Sequence, residues 1–158
     1  MEFDENGFLK PYKPILNDLA TFQDYFVKFE HRENIFKSYL SFLDEIKQIP
    51  IYNFEHWLNG SFTSKKLNPN DLDILMFVET ETFYSFENQL FALKEKYKKL
   101  ALDIYFIIKR TEQDTDYFHY QSDYAEWYSL FSKTKARKGA NTRYKKGFIQ
   151  INFNFDEK

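Results

Sequence analysis

Residues 59–73 read NGSFTSKKLNPNDLD, and their types suit phosphate and metal chemistry. Gly60-Ser61 is a small polar turn that offers backbone N–H groups and a hydroxyl to a phosphate. Asp71 and Asp73 follow and lead straight into the apolar run 74–78, ILMFV. Alternate residues of a strand project to the same face, so the two carboxylates point together. Two like charges at the mouth of a buried strand are costly unless a cation neutralises them. Mg2+ or Mn2+ accepts oxygen ligands of this kind and keeps positions open for phosphate. The combination reads as a site for metal-assisted phosphoryl or nucleotidyl transfer.

A third carboxylate extends this reading. Asp103 is the one charged residue inside the apolar stretch 101–108, ALDIYFII. Burying it unpaired is costly, so it calls for a partner. The plain explanation is an ion pair with Lys99 or Lys109. The functional one sets its strand beside residues 72–78, with Asp103 next to Asp71 and Asp73, where three carboxylates would hold two metal ions. Further on, residues 133–146 carry seven basic side chains and no acidic one: Lys133, Lys135, Arg137, Lys138, Arg143, Lys145 and Lys146. Such a cluster suits a triphosphate or a nucleic acid, and equally a solvated basic loop.

The elements that must position these residues follow from periodicity and breakers. Residues 1–15 form an extended arm broken by Gly7, Pro11 and Pro14. Asn17-Asp18 caps a helix reaching about residue 29, and apolar residues three and four apart predict a second helix over 33–48, stopped by Pro50. Strands are expected at 54–58, 72–78, 101–108 and 147–155, with helices at 84–98 and 122–131. The order predicts an α+β fold, a mixed β-sheet with helices packed on it, in a single domain spanning 1–158.

The bulk properties agree. The chain has 158 residues, 43% hydrophobic and 21% aromatic, enough for one core and unlike a disordered segment. No apolar run approaches the roughly 20 residues that span a bilayer, and the start MEFDENGFLK lacks a signal-peptide core. The absence of cysteine excludes disulfides and thiolate metal sites and suits a cytoplasmic location. A net charge of −2 excludes a chain that binds polyanions over its whole surface. His31, His56 and His119 lack metal-ligand spacing and read as structural, and Trp57, Tyr117, Phe118, Tyr120 and Trp127 read as core.

The Gly-Ser turn, the Asp-x-Asp pair entering a strand and a later strand carboxylate resemble the polymerase-beta-like nucleotidyltransferase superfamily. The chain is most similar to a branch of small bacterial and phage nucleotidyltransferase-like domains of unknown function. That similarity rests on Trp57, Asn59, Gly60, Ser61, Phe62, Lys66, Pro69, Asn70, Asp71 and Asp73, on Phe3, Gly7 and Leu9 in the arm, and on Lys146-Gly147 near the end. It implies the nucleotidyltransferase fold. It also implies that Gly60 and Ser61 hold the β- and γ-phosphates, with Lys66 and Lys146 neutralising charge. Asp71, Asp73 and Asp103 would bind Mg2+ or Mn2+, two ions in all, and carry catalysis. The implied reaction moves a nucleoside monophosphate from an NTP to a hydroxyl of a protein or an RNA such as tRNA, in a toxin–antitoxin or phage-defence setting. A nucleotide-binding module without catalysis, or an RNA-binding regulatory module using the basic segment, is the alternative.

Overall fold

The most apolar stretch of the chain, 72–78, is buried along its whole length, as a strand covered on both faces must be. The computed structural model describes residues 1–135 and 142–155. In the arm, β1 (Glu2–Phe3) and β2 (Leu9–Lys10) form a small antiparallel ladder, and β3 (Pro14–Asn17) leaves it for the main sheet. Helices α1 (Leu19–Phe26) and α2 (Glu30–Gln48) come next. Strands β4 (Asn53–Asn59) and β5 (Leu72–Glu79) flank the Gly-Ser turn. Helices α3 (Thr80–Ser85) and α4 (Glu87–Lys98) carry the chain to β6 (Leu102–Lys109), and α5 (Tyr117–Phe131) precedes β7 (Phe148–Asn154).

The main sheet has the order β3-β7-β4-β5-β6. Its outer pairs, β3 with β7 and β5 with β6, are parallel, and the two inner pairs are antiparallel. The expected mixed sheet with packed helices, an α+β fold, is therefore present. Strand alternation splits the core in two. Phe54, His56, Leu58, Ile74, Met76, Ile104 and Ile151 face α1, α2 and α4, while Trp57, Leu75, Phe77, Ile107 and Phe148 face α5. No helix among the described residues is long and apolar enough to cross a membrane.

Several element boundaries differ from the sequence reading. The arm is not merely extended, because its end supplies the edge strand β3, paired from Pro14–Phe148 to Asn17–Ile151. Pro14 is tolerated there as the first residue of an edge strand. The first helix ends at Phe26, and Phe29 takes φ +72, so the chain turns sharply and α2 starts three residues earlier than its periodicity suggested. The helix expected over 84–98 is two helices broken at Phe86, whose N–H bonds the carbonyls of both Thr82 and Phe83. Helix α5 begins at Tyr117 rather than near 122.

The arm docks where β7 begins. The Gly147 N–H donates to the Leu9 carbonyl at 2.7 Å. A Cβ at position 147 would lie 2.3 Å from the Pro11 carbonyl oxygen and 3.2 Å from that of Leu9. Gly147→Ala is accordingly expected to cost about 1–3 kcal/mol, as overpacking does. Urea denaturation reads this directly, and an unchanged midpoint would show that the arm does not dock at this point.

Candidate functional site

Strand β4 ends at Asn59, and Gly60 turns the chain with φ +84 and ψ −169, a conformation only glycine adopts without strain. A Cβ here would stand 3.2 Å from the Asp73 carboxyl carbon. The missing side chain thus lets the turn and the carboxylate share one place. A single 3-10 turn, Ser61–Thr63, follows. The Ser61 hydroxyl oxygen accepts the Asn70 N–H at 3.2 Å, which leaves its own proton for another acceptor.

The carboxylates converge through strand register. Asp73 lies directly opposite Asp103 across the parallel β5–β6 pair and opposite Asn59 across β4–β5. One oxygen from each of Asp71, Asp73 and Asp103 lies within 4.8 Å of the others. Asp103 makes no ion pair among the described residues, so the plain explanation through Lys99 or Lys109 does not hold. Asp73 is 7% exposed, and its Oδ1 has no hydrogen-bond partner among the described residues. Burial, then the charge of Asp73, then the hydrogen bond and charge of Asp103, push the Asp71 carboxyl up to about 6. Burial raises Asp73 as well, and Asp103 adds to this while Lys135 and Lys146 oppose it.

Crowded oxygen donors with excess negative charge and an orphaned buried oxygen are what a hard divalent cation satisfies. The surrounding cations are arranged to suit an anion bound beside it. Lys146 is half-buried, its ammonium disfavoured by burial and supported by Asp73 and Asp71. Lys135 reaches the same carboxylates from the segment after α5. A cavity of about 730 Å³ holds Gly60, Ser61, Asp71, Asp73, Lys66, Lys135 and Lys146 in its lining.

The loop between turn and strand is held from below by Arg32, which is buried near the start of α2. Its guanidinium donates to the carbonyls of Phe26 (3.1 Å), Phe62 (2.7 Å), Ser64 (2.9 Å) and Lys66. It also lies 5.0 Å from the centre of the Phe62 ring. Carbonyl dipoles and one π face thus take the place of a counter-anion, and the charge is kept because arginine does not deprotonate in proteins. Next to it, His31 Nε2 bonds the Pro69 carbonyl at 2.6 Å. Together these two residues fix both ends of the segment 62–69.

A family model matches residues 1–152, nearly the whole chain. The chain belongs to the DUF6932 family, a family of unknown function. Comparison with curated proteins and with solved structures finds no match.

In this DUF6932 chain, Gly60, Ser61, Asp71, Asp73 and Asp103 come together as the sequence spacing suggested. Lys146 joins them. Lys66 lines the same cavity but is exposed, and its backbone carbonyl, bound by Arg32, is its best-defined contact. Of the basic segment, Arg137 and Lys138 lie outside the described residues. His31 and His56 serve the fold, the latter fully buried with Nδ1 bonded to the Tyr39 hydroxyl at 2.9 Å. Trp57 is core, whereas Phe118 is 60% exposed. Arg32 escaped the sequence reading because a single arginine in a polar first turn carries no periodic signal. Its adjacency to the one histidine at that helix start was the only local hint.

Two outcomes follow. Arg32→Met should destabilise the fold by at least about 2 kcal/mol, since four carbonyls lose a charged donor; a stability change below measurement error would contradict the anchoring role. The second concerns pH. The folded-state pKa of Asp71 stands above its ordinary value, so the folded chain binds that proton more tightly. The resulting stability is complete below pH about 4 and is lost as pH rises through about 6. Without divalent metal, the melting temperature should fall over this range more for the native chain than for Asp71→Asn. Identical pH profiles for the two proteins would refute the raised Asp71 pKa, to which burial contributes most and the neighbouring carboxylates next.

Proposed function

We propose that this chain is a metal-dependent nucleotidyltransferase of the polymerase-beta-like kind, moving a nucleoside monophosphate from an NTP to a hydroxyl of a protein or RNA acceptor. The observation that carries the reading is a cluster of three carboxylates, two of which, Asp71 and Asp73, line one cavity together with the Gly-Ser turn, Lys66, Lys135 and Lys146. The antiparallel β4–β5 pair joined by that turn, with the third carboxylate on the neighbouring parallel strand, supports it further.

In this reading Gly60 and Ser61 receive the β- and γ-phosphates, the glycine through close backbone approach and the serine through its unshared proton. Lys135, Lys146 and Lys66 offset triphosphate charge. Asp71, Asp73 and Asp103 would hold the metal ions. Mg2+ or Mn2+ bound there would neutralise the developing charge and favour an in-line displacement. Asp103 takes the proton of the acceptor hydroxyl as its oxygen attacks the α-phosphorus. The bond from that phosphorus to the α–β bridging oxygen breaks, and pyrophosphate leaves.

The direct test is transfer of label from α-³²P NTPs, each supplied singly with Mg2+ or Mn2+, to the protein itself, total cell protein or total tRNA. Labelling should appear and fall at least about 100-fold in Asp73→Asn, the scale of losing a principal electrostatic element of a site. Label retained by the variant would contradict the assignment. Metal-dependent NTP binding with no transfer to any acceptor would identify the non-catalytic nucleotide-binding module instead.

A further inference from the structure

The cavity is lined by more than carboxylates, lysines and the Gly-Ser turn. Its volume of about 730 Å³ falls in the ordinary range for small-molecule sites. Its wall also includes Asn6, Gly7 and Phe8 of the N-terminal arm and Tyr144 ahead of β7. The Phe8 and Tyr144 rings face each other with centroids 6.0 Å apart and planes 27° apart. Neither ring belongs to either hydrophobic core. Tyr144 is 39% exposed and Phe8 is only partly buried. Two large aromatic side chains are therefore held at a cavity wall without serving the packing of the sheet.

Their backbones are well fixed. Phe8 bridges Ser64, just past the Gly-Ser turn, and the Lys65 N–H donates to the Gly7 carbonyl at 3.1 Å. Asp4 ties the arm's turn by accepting the N–H groups of Asn6 and Phe8 at 2.9 and 3.0 Å. On the other side, Tyr144 and Thr134 exchange bonds: the Tyr144 N–H donates to the Thr134 hydroxyl at 2.9 Å, and the Thr134 N–H to the Tyr144 carbonyl at 2.8 Å. The arm thus meets the segment after the Gly-Ser turn through Phe8, and the basic segment meets the arm through Tyr144.

We infer that the Phe8–Tyr144 pair is the platform on which the base of a bound nucleotide stacks, so that both ends of the chain build nucleotide affinity. The inference rests on the nucleotidyltransferase reading for the position of the phosphates. Aromatic rings in the wall of a polar, lysine-lined cavity match a nucleobase, because every base offers a π face. Stacking reads no pattern of donors and acceptors, so the ring faces supply affinity common to all bases.

Isothermal titration of the full chain with Mg2+ distinguishes the parts, using α,β-methylene ATP and inorganic tripolyphosphate as probes. The native protein should bind the nucleotide at least about tenfold more tightly than tripolyphosphate, the effect of one stacked base. Phe8→Ala and Tyr144→Ala should each remove about fivefold or more of nucleotide affinity and leave tripolyphosphate within twofold. Phe8→Trp should retain the preference. Equal weakening of both probes in the alanine variants would overturn the platform in favour of a structural role for the rings. Tripolyphosphate binding with no preference for the nucleotide would overturn the platform alone, and binding of neither probe would overturn the nucleotide reading and the platform together.

Discussion

Mutual repulsion among Asp71, Asp73 and Asp103 is the constraint around which the rest is arranged. Parallel pairing in register sets Asp73 against Asp103 at the starts of β5 and β6, and Asp71 stands two residues ahead on the same side. An apolar chain does not collect three carboxylates at one sheet end for stability, because desolvation and like charge both oppose it. The same two effects raise the Asp71 and Asp73 carboxyls. Lys135 and Lys146 relieve part of the excess, and one oxygen of Asp73 still has no partner among the described residues. A divalent ion is the simplest completion of that charge balance.

The surroundings read as supports for that cluster. Gly60 yields the space that Asp73 occupies, and Arg32 holds the following loop through carbonyls and the Phe62 ring. A carboxylate counterion for Arg32 would have added a fourth negative charge near a site already burdened with three. On the outer strand, Lys94 from α4 reaches the Ile104 carbonyl and lies 4.5 Å from the Tyr105 ring centre, so a cation also stands beside Asp103. The arm and the segment before β7 supply part of the cavity wall. Long-range contacts between chain ends therefore complete a site whose reactive groups are central in sequence.

The reactive core was legible because its signals are local. Period-two alternation placed Asp71 and Asp73 on one face, and the isolated charge of Asp103 in an apolar strand flagged a partner that register then supplied. The mixed sheet followed from the order of helical and strand patterns. Arg32, Phe8 and Tyr144 were not legible, since each gains its role from residues far away in sequence. Edge strand β3 hid because its four residues start with a proline and none is buried, so they have no pattern of their own. The break at Phe86 hid because both halves share helical spacing, and only the packing of Phe83 with Phe106 and of Phe86 against the core shows why the chain bends there. Lys66 illustrates the reverse: its position in the motif suggested charge chemistry, while its firmest contact is through its backbone.

The central claim is that the three carboxylates form a divalent cation site, and anomalous diffraction from crystals grown with Mn2+ and a non-hydrolysable NTP tests it most directly. The account predicts an anomalous peak among Asp71, Asp73 and Asp103, with oxygen ligands at roughly 2.1–2.2 Å, close to the distances of small hard cations, and with the phosphates against Gly60 and Ser61. A carboxylate cluster free of anomalous density, neutralised instead by Lys135 or Lys146, would contradict it.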